Sequence, residues 1–178
     1  MDRLRRAAVL TRLIEELRRN GSWCGETHVQ KATLFLQDLM HVPLEFEFIL
    51  YKHGPFSFDL RSELTSMRAD ELVKLEPQRG YGPRIDTTDR IKYIQGLYSK
   101  TLDKYDDSIS FIARKLGVKG VAELERLATA FYVTANLAVD HSIEERATRL
   151  TAVKPHIERE EAIAAMREID QIIANSKH

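Results

Sequence analysis

One cysteine, Cys24, stands among 178 residues, so no disulfide can form within the chain. That fits a reducing compartment. No apolar run approaches the roughly 20 residues that a bilayer-spanning helix requires. The basic N-terminal stretch MDRLRRAAVLTRLIEELRR holds only the short apolar run Ala7 to Leu10 before charge resumes at Arg12, too little for a signal-peptide core. There is no surplus of either charge: Lys+Arg and Asp+Glu are both 27. Such a balance gives no support to a protein held on nucleic acid by bulk attraction, although a local basic patch is compatible with it. Internal repeats, low-complexity tracts and long linkers are also missing. These absences point to a cytoplasmic protein held together by a packed core, without a membrane anchor.

What is present suits one domain, or one domain and an extension, at 43% hydrophobic and 30% charged residues. Leu4, Ala8, Leu13, Ile14 and Leu17 recur at helical spacing and predict a first helix over residues 2–19, stopped by Asn20-Gly21. Thr27 with Gln30 reads as a capping box opening a second helix to about Met40, ended by Pro43. Alternation over 45–51 predicts a strand, followed by a sharp turn at Gly54-Pro55. Ser57 reads as the N-cap of a third helix, with Phe58, Leu60, Leu64 and Met67 facing inward. Leu72, Val73 and Leu75 predict a strand, Pro77 to Pro83 a turn, and Arg84 to Thr87 a returning strand. Helices 1–3 and a Gly-tipped basic hairpin together resemble a winged-helix unit over residues 1–90.

The remainder, 91–178, reads as a helical subdomain sharing a core with the first half. A helical pattern over 89–116 is expected to break near Tyr105-Asp106-Asp107. Residues 121–139 form its most apolar helix, with Leu124, Leu127, Ala128, Phe131, Ala135 and Leu137 inward. Ser142 with Glu145 is another capping box. Lys154-Pro155 is expected to start the last helix, which carries Ile157, Ile163, Met166, Ile169 and Ile173 inward. The expected fold class is therefore α+β, mostly α, with a small antiparallel sheet.

The run Tyr51-Lys52-His53-Gly54-Pro55-Phe56-Ser57 resembles the YwgA-like family of small bacterial and archaeal proteins, and more distantly the Panacea antitoxin-like group. In both, a "YxxGPxS" segment follows a helix with a "QK" pair, here Gln30-Lys31. Leu124 to Ala130 is similar to the family's "LELIAT" segment, and Lys154-Pro155 to its "KP" before a final helix. The resemblance covers most of the chain and implies no catalytic residue. It implies a role in contacting proteins, in a defence or toxin–antitoxin setting. His53 departs from the aromatic residue or tyrosine common in that family.

Candidate chemistry is sparse. Tyr51, Gly54, Pro55 and Ser57 read as a fold-defining turn, with a helix start beside it that could accept an anion. Cys24 and His28 are four residues apart, and His41 and His53 are near in sequence, but two ligands do not make a metal site. A Cys–His nucleophile lacks a third group. Trp23 reads as an apolar plug between the first two helices. Arg79, Arg84, Arg90 and Lys92 gather at the hairpin with Tyr81. The first helix adds Arg3, Arg5, Arg6, Arg12, Arg18 and Arg19 against Asp2, Glu15 and Glu16. For double-stranded DNA the expected contacts are thus Arg3, Arg5, Arg6, Arg79, Arg84 and Arg90. The third helix carries Arg61 and Arg68 against Asp59, Glu63, Asp70 and Glu71, a poor charge balance for a helix entering a major groove. The leading expectation is a non-enzymatic regulatory protein that contacts a protein partner. A DNA-binding regulator is the alternative, and a metal- or thiol-dependent enzyme the third reading. No cofactor is expected, and self-association is open.

Overall fold

The computed structural model describes residues 1–136 and 141–177, with Tyr81 described by its backbone alone. Helix α1 (Arg3–Arg19) begins where the Asp2 side chain accepts from the Arg5 amide at 3.0 Å and ends on Arg18 and Arg19, cations suited to the negative end of the dipole. Ala7 to Leu10, Leu13, Ile14 and Leu17 are buried, so α1 is the central helix of the fold. It packs along α4 (Ile91–Leu97) and α5 (Ser99–Leu116) on one side and touches α2 (Glu26–Leu34) and strand β4 (Tyr81–Thr87) on others. Leu4, expected inward, is 44% exposed because it lies in the first turn, before the buried stretch begins at Ala7.

Helix α2 starts from Gly25, not from Thr27, and continues into a π turn over Phe35–Leu39. The wide turn closes with Met40 N–H donating to the Phe35 carbonyl at 3.2 Å. Phe35 stacks on Phe131 of α6 (Val121–Asn136) with ring centroids 4.6 Å apart, tying the two halves of the chain together. One continuous hydrophobic cluster includes residues from α1 through α8 (Arg159–Asn175).

The predicted strand over 45–51 shortens to β1 (Ile49–Tyr51). Its partner is β2 (Gly54–Phe56), so Gly54 and Pro55 lie in a strand and the turn falls on Lys52-His53. Two residues are the shortest hairpin connection, which makes local pairing the nearest outlet for the backbone of β1. The second hairpin, β3 (Val73–Gln78) with β4, is longer than the expected strands and bulges between Glu76 and Gln78. The two hairpins form separate two-stranded sheets. Helix α3 (Phe58–Ala69) stands between them, capped by the Ser57 hydroxyl accepting from Leu60 N–H at 3.2 Å, as the sequence predicts.

Phe58 is a correction: it is 47% exposed. It precedes Leu60 by two residues, a rotation of about 200° on a 3.6-residue helix, and so faces away from the Leu60–Leu64–Met67 stripe. The break in the 89–116 region also moves. It falls at Tyr98, while Tyr105, Asp106 and Asp107 are helical. Asp106 instead accepts from Arg12 of α1 at 3.0 Å, a long-range role at the place where a local reading puts a helix break. Leu97, at the end of α4, is 57% exposed.

In the C-terminal part, α6 buries Leu124, Leu127, Ala128 and Phe131 as expected, while Ala135 is exposed; Leu137 and the rest of 137–139 lie outside the described residues. The Ser142–Glu145 capping box opens α7 (Ile143–Val153) as predicted. Lys154-Pro155 does not start the last helix. Lys154 ends α7, Ile157 is buried in the connection, and α8 restarts behind a Glu158–Glu161 capping box. A bidentate pair, Arg146 to Asp170 at 2.8 and 2.7 Å, joins α7 to α8. Among the described residues, no helix is long and apolar enough to cross a membrane.

Candidate functional site

Phe46 to Ser57 is held against the helices by side chains more than by strand pairing. Two glutamines seven residues apart clamp its ends. The Gln37 amide donates to the Phe46 carbonyl at 2.9 Å and accepts from its N–H at 2.8 Å. The Gln30 amide does the same at Ser57, with distances of 2.9 and 3.0 Å. Gln30 is fully buried, so it satisfies two backbone groups that have no access to water. Its role is thus tertiary; the expected capping box with Thr27 is absent.

Two lysines hold the middle. Lys31, 1% exposed, donates from Nζ to the Pro55 carbonyl at 2.9 Å. Lys154 donates to the carbonyls of Lys52 at 2.7 Å and Tyr51 at 3.3 Å. From α6, Glu125 meets His53 at 3.4 Å and Thr129 packs on Gly54. Gly54 has φ +84°, and a Cβ there would lie 2.8 Å from Thr129 Oγ1 and 3.3 Å from the Glu125 carbonyl. Four segments distant in sequence, Gln30-Lys31, Tyr51 to Ser57, Leu124 to Ala130 and Lys154-Pro155, therefore converge on one hairpin. Sequence reading found each piece. It did not find their contacts, because hydrogen bonds between positions 24 to 103 residues apart leave no periodic signal.

Burial pushes the Lys31 ammonium down to about 8, opposed by the Glu125 and Glu26 carboxylates and reinforced by Lys154. The folded value lies below the ordinary lysine value of 10.5. The unfolded chain then binds more protons between those two values, so stability rises with pH across that window. The charged amine's penalty is complete below pH 8 and gone above pH 10.5. Relative to Lys31→Met, the wild type is expected to gain about 3 kcal/mol between pH 7 and pH 10.5. Paired urea denaturation curves at the two pH values check this, and a constant difference would refute it.

The outer face of the hairpin is aromatic. Tyr51, Phe56 and Phe58 form a triangle with ring centroids 5.9, 5.4 and 5.1 Å apart. Tyr51 and Phe58 are 51% and 47% exposed, with Ile49 beside Tyr51 in β1 at 41%. The Arg61 guanidinium covers the Phe56 ring at 4.6 Å and is itself paired with Glu26 at 2.8 Å. Among the sequence-selected residues, Tyr51 belongs to this surface, Gly54 and Pro55 to its support, and Ser57 to the cap of α3. Phe56, Phe58 and Arg61 were missed as surface residues; the cluster of three aromatics within eight residues was the available signal.

Five of the six arginines expected at DNA have a carboxylate or an aromatic ring beside them. Arg3 pairs with Asp70 and lies 3.4 Å from Glu63, whose carboxyl is pushed up by burial and drawn back by Arg3. Arg5 pairs with Asp2 at 3.2 Å, and Arg6 lies over the Phe46 ring at 5.3 Å. Arg90 pairs with Glu71. Arg84 stacks on Trp23 at 5.1 Å. Arg79 is exposed at the hairpin tip with no ion pair among the described residues. Where α1 meets the hairpin, Arg18 faces Glu76 and Asp86 at 3.8 and 3.6 Å, so opposite charges join the two elements. The Tyr81 side chain lies outside the described residues.

Cys24 and His28 are both buried, and among the described residues no three metal-ligating side chains gather. Burial pushes the Cys24 thiol up to about 12. Trp23, expected as an apolar plug, is half-buried and lines an open cleft. No protein-family model matches the chain, and no curated protein matches it.

Proposed function

We propose that this is a small regulatory protein that grips a protein partner through the aromatic face of the β1–β2 hairpin and the start of α3. The observation that carries the reading is the clamped hairpin: four buried or half-buried polar side chains fix its backbone while Tyr51, Phe56 and Phe58 stay in contact with solvent. Aromatic residues and arginine are the groups most enriched at interface hot spots, and rigid presentation lowers the entropic cost of binding. In this reading residues 1–90 are a winged-helix-like unit with β3–β4 as its wing, supported by three helices preceding a long hairpin. The YwgA-like and Panacea-like resemblance adds the defence or toxin–antitoxin setting. This reading assigns no catalytic role, and burial, which holds the Cys24 thiol protonated, counts against a thiol-dependent reaction.

A DNA-binding role is the second reading, favoured by the unpaired Arg79 at the hairpin tip. One experiment separates the two. Wild type recovered from its native cell is expected to carry a stoichiometric protein. The exposed double variant Tyr51→Ala/Phe58→Ala is expected to fold normally and bind that protein about thirtyfold or more weakly. Arg79→Ala is expected to bind it unchanged. Retention by the aromatic variant refutes the proposal. Duplex binding at low salt that falls in Arg79→Ala/Arg84→Ala supports the DNA reading instead.

A further inference from the structure

A cleft of about 940 Å³ opens between α3, the β3–β4 hairpin and the loops joining α1 to α2 and α5 to α6. This volume is in the range of small-molecule sites. Leu64, Val73, Leu75 and Ile85 line one side, and Val118 and Val121 the other. Leu75, Val118 and Val121 are 39%, 77% and 45% exposed, so apolar area is left uncovered here.

Two polar groups along the cleft lack what they would normally hold. His28 is 3% exposed, and its Nδ1 has no hydrogen-bond partner among the described residues. The ring bonds the Lys119 backbone, and burial pushes its pKa down, so it is neutral at physiological pH. A neutral imidazole that donates from one nitrogen presents the other as an acceptor. A buried acceptor left unpaired is costly, and a ligand that donates to it removes that cost. Arg68 is exposed along the same cleft and has no ion pair among the described residues. Arg61 differs, being committed to Glu26.

We propose that the cleft binds a small amphipathic anion. Its apolar ring system lies against Leu64, Val73 and Leu75, its carboxylate meets Arg68, and its N–H or O–H donates to Nδ1 of His28. The site goes beyond partner binding: Arg61 and Glu26 border it, but the aromatic face does not line it, so either assignment can fail alone.

Trp23 is the only tryptophan and lines the cleft, so its single indole N–H signal in a proton–nitrogen correlation spectrum reports occupancy. Three probes separate the requirements: indole-3-acetate, 1-naphthaleneacetate without the ring N–H, and indole without the carboxylate. Indole-3-acetate is expected to shift the Trp23 signal saturably. Arg68→Ala is expected to weaken it about fivefold, the upper end for an exposed ion pair. 1-Naphthaleneacetate is expected to bind about fivefold more weakly than indole-3-acetate, and His28→Phe to erase that gap. No saturable shift, an unchanged affinity in Arg68→Ala, or a gap that survives His28→Phe overturns the proposal. Arg68 is exposed, so its variant decides the matter if His28→Phe does not fold.

Discussion

Gly54→Ala is expected to lower the free energy of unfolding by about 3–5 kcal/mol, read as a shift of the urea midpoint at constant slope. Two costs add. The residue sits at φ +84°, where a Cβ strains the backbone, and that Cβ would stand 2.8 Å from Thr129 Oγ1. Thr129 cannot simply swing aside, because its hydroxyl donates to the Glu125 carbonyl at 2.7 Å. Gly80 provides an internal control: it has φ +79° but nothing within 4 Å of the added carbon. Gly80→Ala should therefore show the backbone term alone, about 1 kcal/mol. Adding Thr129→Ala to Gly54→Ala should recover about 1–2 kcal/mol beyond additivity, since the two sites touch. Equal costs at Gly54 and Gly80 would mean that close packing on α6 contributes nothing. The functional consequence follows from the same contact. A hairpin pushed off α6 carries Tyr51 and Phe56 with it, so the proposed partner binding should weaken in Gly54→Ala although no surface group changes.

Gln30→Leu is expected to cost about 1–3 kcal/mol, because it strands the N–H of Ser57 in a buried site, while the Ser57 carbonyl keeps the Arg61 N–H at 3.2 Å. The apolar volume is nearly kept, so the loss reports hydrogen bonding more than packing. Gln37→Leu is the comparison. It breaks the equivalent bracket at Phe46, but Gln37 is half-buried and water can replace part of it, so a smaller loss is expected. Gln30→Glu sharpens the test. It keeps an acceptor for Ser57 N–H but sets a carboxylate oxygen against the Ser57 carbonyl, which Gln30 Nε2 now meets at 2.9 Å. The introduced carboxyl titrates above its unfolded value, so this variant should become more stable as pH falls through the folded pKa. Denaturation at pH 5 and pH 8 checks the sign. A pH-independent variant as stable as wild type would show that the amide is dispensable.

Helices with strong local signals were readable in advance. Ala8, Leu13, Ile14 and Leu17 mark the buried face of α1 by spacing alone, and Ser57 and Ser142 announce helix starts by short-range hydrogen bonds. The errors share a cause. Thr27–Gln30, Tyr105 to Asp107 and Lys154-Pro155 all resemble local punctuation, yet Gln30, Asp106 and Lys154 are used across the fold, toward Ser57, Arg12 and the hairpin carbonyls. Long polar side chains reach distant groups as readily as near ones, and sequence proximity does not reveal which.

The amino-acid sequence by itself determined a mostly helical chain with Gly-marked turns, and it singled out Tyr51 to Ser57 as the segment to watch. Periodicity and capping are properties of a few neighbouring residues, so they survive without the fold. Only the tertiary structure decided that Gly54 and Pro55 form a strand, that Gln30, Lys31 and Lys154 are its clamps, and that Phe58 faces water. It also decided that five of the six arginines expected at DNA are occupied by carboxylates or aromatic rings. A charge read from sequence has only its sign; its availability depends on the partner that folding brings beside it.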